Sequence, residues 1–177
     1  MSLEFSRRSF LKYTAVAAVA VAGSSLLTGC GSDSFQPEGR IGDTLKVMGT
    51  FQLVKATYEN NTLTCPDMYF KCTSTRSLSV VPTNFQIDVT DKNGKARASY
   101  RADQAQNNKV SLSNTKGDLE KNKDMKSTLK VENMITLSEG DIVLVKYWPR
   151  PQASQGYQAY TDAYATWKMT YINGSLK

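Results

Sequence analysis

The chain has 177 residues, 40% of them apolar and 21% charged, with 22 Lys/Arg against 16 Asp/Glu. That length holds one domain with a real core and little room for a second. Histidine is absent, which removes the usual general base, the Ser-His-Asp triad, most zinc sites and the common pH switch.

Residues 6 to 12 read Ser6-Arg7-Arg8-Ser9-Phe10-Leu11-Lys12. This resembles the twin-arginine export pattern at every defined position, with Arg7, Arg8, Phe10, Leu11 and Lys12 as the signal residues. The apolar run Thr14 to Leu27 that follows is too short for a membrane span, which needs roughly 20 apolar residues. It ends in Leu27-Thr28-Gly29-Cys30, which resembles the lipobox of bacterial lipoproteins. That resemblance implies cleavage before Cys30 and transfer of a diacylglyceryl unit to its thiol, with fatty chains such as palmitate holding the protein to a membrane. Cleavage after Ala22 in Ala20-Val21-Ala22 is the rival, and would release a soluble protein. The lipobox is preferred because a cysteine at that spot otherwise has no purpose.

Removing residues 1–29 of the 177 leaves 148, with three Lys/Arg and one Asp/Glu lost from the precursor's net charge of +6. The remaining basic excess is interspersed, so no block points to nucleic acid. The expected organisation is a signal peptide over 1–29, a flexible tether over 30–44 and a folded domain over 45–177. The tether reading rests on the small, polar, Pro- and Gly-containing stretch Gly31 to Gly39.

From Leu45 onward the pattern predicts an all-β fold. Leu45-Val47 and Phe51-Leu53 open the series. Met68-Phe70-Cys72 alternate with polar neighbours, as do Phe85-Ile87-Val89. Asp91-Lys92-Asn93-Gly94-Lys95 predicts a hairpin, because Asn-Gly tolerates positive φ, and Ala96 to Arg101 supplies the return strand. Val110-Leu112 and Thr128 to Glu132 are further strands, with Asn114 to Lys126 read as a solvated loop between them. Asp141 to Tyr147 reads as a central strand buried on both faces. Ala163 to Tyr171 closes the series, with room for one helical turn over Tyr157 to Asp162.

In an oxidising compartment Cys65 and Cys72 are expected to pair, closing an eight-residue loop worth roughly 2.5 kcal/mol on the chain-entropy model. Yet a straight strand from Met68 to Cys72 spans about 13 Å, whereas bridged Cα atoms lie about 4.4–6.8 Å apart. Either the chain doubles back at Pro66 to Met68 or both thiols stay free.

The order of strand, Ser-rich turn, Pro82-x-Asn84-Phe85, strand and Asp-x-Asn-Gly turn over Met68 to Lys95 resembles the telokin-like, immunoprotective-antigen type of immunoglobulin domain. Gly140-Asp141 leading into a late apolar strand adds to the likeness. The resemblance implies an immunoglobulin-like β-sandwich of about seven to nine strands, and the family has no settled activity.

No catalytic motif stands out. Asp88, Asp91, Asp118, Glu120, Glu132, Glu139 and Asp141 sit beside turns or alternate outward, and read as solvated surface. No D-x-D-x-D-G calcium loop, Gly-rich phosphate loop or G-x-S-x-G elbow is present. Twin-arginine export is often explained by folding around a cofactor before crossing the membrane, but no ligand set for a metal or organic cofactor is visible. The aromatic cluster Trp148, Arg150, Tyr157, Tyr160 and Tyr164 is the candidate partner-binding loop, for a protein or glycan, although packing of these rings over the open end of the core is the preferred reading. The expectation is an exported, membrane-anchored binding or accessory module that is not an enzyme. The alternatives are a small carboxylate-dependent hydrolase acting on envelope polymers and a structural envelope subunit.

Overall fold

Short alternating segments separated by turn residues cannot close a core alone, so they stack as two sheets with their apolar faces together. The computed structural model describes residues 36–102, 109–149 and 163–177, and these build a β-sandwich. The first sheet has the order β1 (Glu38–Gly39), β13 (Ala165–Ile172), β12 (Ile142–Tyr147), β7 (Phe85–Thr90) and β8 (Ala96–Arg101), with β14 (Ser175–Leu176) also on β13. The second has the order β2 (Thr44–Lys46), β3 (Gly49–Gln52), β5 (Thr62–Cys72), β11 (Asp124–Glu132) and β9 (Lys109–Leu112), with β4 (Thr57–Glu59) also on β5. A separate ribbon pairs β6 (Leu78–Val80) with β10 (Lys116–Leu119). Fourteen strands among the described residues exceed the seven to nine expected; five of them hold only two or three residues each.

Four rings join the two layers. Tyr147 of the first sheet lies 4.9 Å from Phe51 and 5.1 Å from Phe70 of the second, and 4.9 Å from Phe85 beside it. All four are fully buried. Such burial contributes about 1.5–3 kcal/mol per large side chain, with about 0.5–1.5 kcal/mol more per ring pair. The phenol of Tyr147 donates to the carbonyl of Ser79 at 2.7 Å, so its polar end is satisfied. Burial raises its pKa well above the ordinary tyrosine range, and the nearby Cys72 adds to that.

Several expectations are corrected. β12 is central, but its burial alternates, with Val143, Val145 and Tyr147 buried and Ile142 and Leu144 only half-buried on the outer face. The segment Asn114 to Lys126 is not one loop, since it holds β10 and the start of β11. Glu38 and Gly39, assigned to the tether, pair in parallel with Thr166 and Trp167 of β13. The hairpin at Asp91 forms as expected, but Gly94 alone takes positive φ, at 82°; Asn93 does not. Asp91 Oδ1 accepts the N–H groups of Asn93 and Lys95 at 2.8 and 2.9 Å, which fixes the turn. The helical turn considered over Tyr157 to Asp162 lies outside the described residues.

The largest correction concerns β5, which runs unbroken through Pro66. Cys65 pairs with Leu129 and Met68 with Ser127, so Pro66 and Asp67 oppose the single residue Thr128. This is a β-bulge, and Asp67 sits at its turn with φ 51°. The extra residue shifts the phase of the strand. Leu63 and Cys65 face the core before it, and Met68, Phe70 and Cys72 face the core after it. The two cysteines are buried and free, not bridged, because an extended strand keeps their Cα atoms about 20 Å apart.

Candidate functional site

The end of the sandwich beside Trp148 is built on one side chain from the turn before β7. Asn84 is fully buried, and its amide donates to the carbonyls of Ser79 and Trp148 at 2.6 and 2.9 Å. The Trp148 N–H returns a bond to the Asn84 carbonyl at 2.9 Å, and the Ser79 N–H donates to the Pro149 carbonyl at 2.9 Å. The chain leaving β12 is thereby tied to both the 3-10 turn at Pro82–Asn84 and β6.

This anchoring places Trp148 inward. It is 7% exposed, and its ring lies 4.8 Å from that of Tyr164 at 35°. Trp148 is therefore a packing ring in this fold. Tyr164 is half-buried, and its hydroxyl donates to Gln36 Oε1 at 2.8 Å. Of the expected binding cluster, Trp148 and Tyr164 come together; Arg150, Tyr157 and Tyr160 lie outside the described residues, as do Cys30 and the export residues Arg7, Arg8, Phe10, Leu11 and Lys12.

A polar strip continues from Tyr164 across the outer face of the first sheet. Lys146 Nζ lies 6.0 Å from the Tyr164 ring centroid and 2.8 Å from Asp88 Oδ2. Asp88 also accepts Ser99 Oγ at 2.6 Å and the amide of Gln86 at 2.8 and 3.0 Å. Burial pushes the Asp88 carboxyl up, but the hydrogen bonds from Lys146, Ser99 and Gln86 outweigh it, and the group sits below the usual carboxylate range.

Acidic groups also converge in a groove of about 600 Å³ between the Asp91–Lys95 hairpin and the segment Ile135 to Asp141. Asp141 is 3% exposed, which corrects its reading as solvated surface. It forms an ion pair with Arg97 and accepts the Ser138 N–H at 2.7 Å. Glu139 accepts the Asn173 N–H at 3.0 and 3.3 Å. Asp91 is bound to its own hairpin, whose N–H groups at Lys95 and Asn93 hold its carboxyl below the usual range. Each acid in this groove therefore has a fixed partner within the fold. The signal that could have marked Asp141 was Gly140, whose φ of 85° turns the chain just before β12.

The remaining acids that were read as surface behave as such. Asp118 accepts Ser77 Oγ at 3.0 Å, and Glu132 pairs with Lys130 at 2.6 Å, both at exposed positions. Among the described residues no group of three or more His, Cys, Asp or Glu could hold a metal ion. Among them too, no helix is long and apolar enough to cross a membrane.

Comparison with known proteins bears on the amino terminus. Residues 4–24 match the family model of the twin-arginine translocation (TAT) pathway signal sequence. The chain carries a signal for export across the cytoplasmic membrane. No curated protein matches it. Among solved structures, the yjhA protein from Bacillus subtilis is 16% identical, with a TM-score of 0.40 over 72% of this chain and 98% of that one.

Proposed function

We propose that this chain is a lipid-anchored, extracytoplasmic binding or accessory module on an immunoglobulin-like sandwich, with no catalysis of its own. One observation carries the non-catalytic part. The buried or converging carboxylates, Asp88, Asp91, Glu139 and Asp141, are each held by hydrogen bonds or an ion pair within the fold. A general acid must hold a proton near neutral pH, and Asp88 and Asp91 are shifted the other way.

The anchor is Cys30, since Leu27-Thr28-Gly29-Cys30 lies just beyond the matched export signal of residues 4–24. The binding surface is the strip of Tyr164 and Lys146. An aromatic face beside an ammonium group suits a glycan or a protein surface, through ring contact and hydrogen bonding. The fit with an immunoglobulin-like domain rests on the Met68 to Lys95 pattern and on the order of strands within a two-sheet sandwich.

Two measurements test this. Labelled palmitate should enter the wild-type chain and not Cys30→Ser, and only the wild type should sediment with membranes. Equal sedimentation of the two would end the lipid assignment. Purified protein incubated with isolated cell-envelope polymer should co-sediment with it and release no soluble sugar. Sugar release that is lost in Asp141→Asn would replace this reading with the hydrolase.

A further inference from the structure

Two free thiols lie on β5. Cys65 and Cys72 are both fully buried, on one strand that pairs with β3, β4 and β11. Burial raises the Cys65 thiol to about 12. The Cys72 thiol donates to the carbonyl of Arg76 at 3.3 Å. Burial keeps both thiols away from a soluble oxidant in the folded chain.

In the unfolded chain the same two thiols are close neighbours. Six residues separate them, Pro66 and Asp67 among them favour a turn, and loops of about 10 residues close within roughly 100 ns. An oxidising compartment would join them. Cys65 and Cys72 would each give up one proton and one electron to a small-molecule disulfide, which leaves as two thiols, and one S–S bond would form within the chain. The product cannot fold. Bridged Cα atoms lie within about 7 Å, whereas β5 holds these residues about 20 Å apart, with Cys65 opposite Leu129 and Cys72 opposite Gly49.

We infer that this chain must complete β5 before it meets an oxidising compartment, and that its twin-arginine route serves that order. Folding in the reducing cytoplasm seals both thiols into the core, after which export exposes neither.

The test uses the full chain carrying Cys30→Ser, so that Cys65 and Cys72 are its only thiols. Denatured and reduced, it should recover its buried-tryptophan fluorescence when diluted into dithiothreitol. Diluted into excess oxidised glutathione, it should lose both free thiols, stay unfolded and recover on reduction. Already folded chain given the same oxidant should keep both thiols. In cells, replacing the twin-arginine signal with a general secretory signal should abolish accumulation of folded chain, and Cys65→Ala/Cys72→Ala should restore it. A native fold containing the Cys65–Cys72 disulfide would overturn the inference, as would full accumulation of wild-type chain by the secretory route. So would a failure that the double variant does not rescue, provided that variant folds in the cytoplasm. If it does not fold there, the two refolding arms on wild-type cysteines decide alone.

Discussion

Lys146 and Asp88 meet on the outer face of the first sheet, Nζ to Oδ2 at 2.8 Å, although they are not direct cross-strand partners. Asp88 lies opposite Leu144 on β12 and opposite Ser99 on β8, so Lys146 reaches it diagonally. One carboxylate thereby ties β7 to both of its neighbours. Ordinary aspartate titrates near pH 3.9, and Asp88 is held below that value in the fold. Its contribution to stability is therefore fully present above the unfolded value and lost as pH falls through the folded one. Asp88→Asn should cost about 1–2 kcal/mol at pH 7. It should also flatten the acid limb of stability, as read by urea midpoints from pH 7 to pH 3.

Asp141 and Arg97 form a partly buried ion pair, with side-chain exposures of 4% and 31%. Removing the acid also frees the Ser138 N–H that it accepts. Asp141→Ala should cost about 2–4 kcal/mol, because the Ser138 N–H loses its acceptor and Arg97 its counter-charge. Arg97→Met should cost a comparable amount, since it leaves the buried Asp141 carboxylate without its cation. A double-mutant cycle should give a favourable coupling energy, and strict additivity would show that the pair does not act as a unit.

The bulge at Asp67 makes its own prediction. With φ at 51°, Asp67 occupies a backbone region that costs most side chains about 1–2 kcal/mol. Asp67→Gly should leave the melting temperature unchanged or raise it, whereas Asp67→Val should lower it. A Val variant as stable as wild type would mean that the bulge is absent in solution.

Gly49 opens β3 where the second sheet meets the β6 ribbon. A Cβ there would lie 2.6 Å from the Lys71 carbonyl, 2.7 Å from Leu78 Cδ1 and 2.8 Å from Phe51 Cζ. Backbone cannot step aside as a flexible side chain can, so Gly49→Ala should destabilise by about 1–3 kcal/mol. Thermal melting would register this as a clear drop. An unchanged melting temperature would place β3 differently against β5.

The sequence by itself determined the export signal and most of the strands. Arg7-Arg8 with Phe10-Leu11-Lys12 is a contiguous code that needs no fold to be read. Phe85–Thr90 announces itself through period-two alternation, and Ala96–Arg101 through the Asn93-Gly94 turn before it; both signals are local. Wherever the outcome depended on a distant partner, the pattern fell short. The bulge at Pro66-Asp67 shifts the burial phase of β5, and only pairing with Thr128 reveals it. That shift lets an unbroken strand carry both cysteines inward and hold them apart. Asp141 reads as a surface acid until Arg97, 44 residues earlier, closes over it. Trp148 reads as either a packing ring or a partner contact until Asn84 pins its backbone and Tyr164 covers its face. Alternation reports which side of a strand is apolar, whereas burial of a charge, a thiol or a loop ring depends on what packs against it. That second layer is supplied only by the two sheets closing on each other.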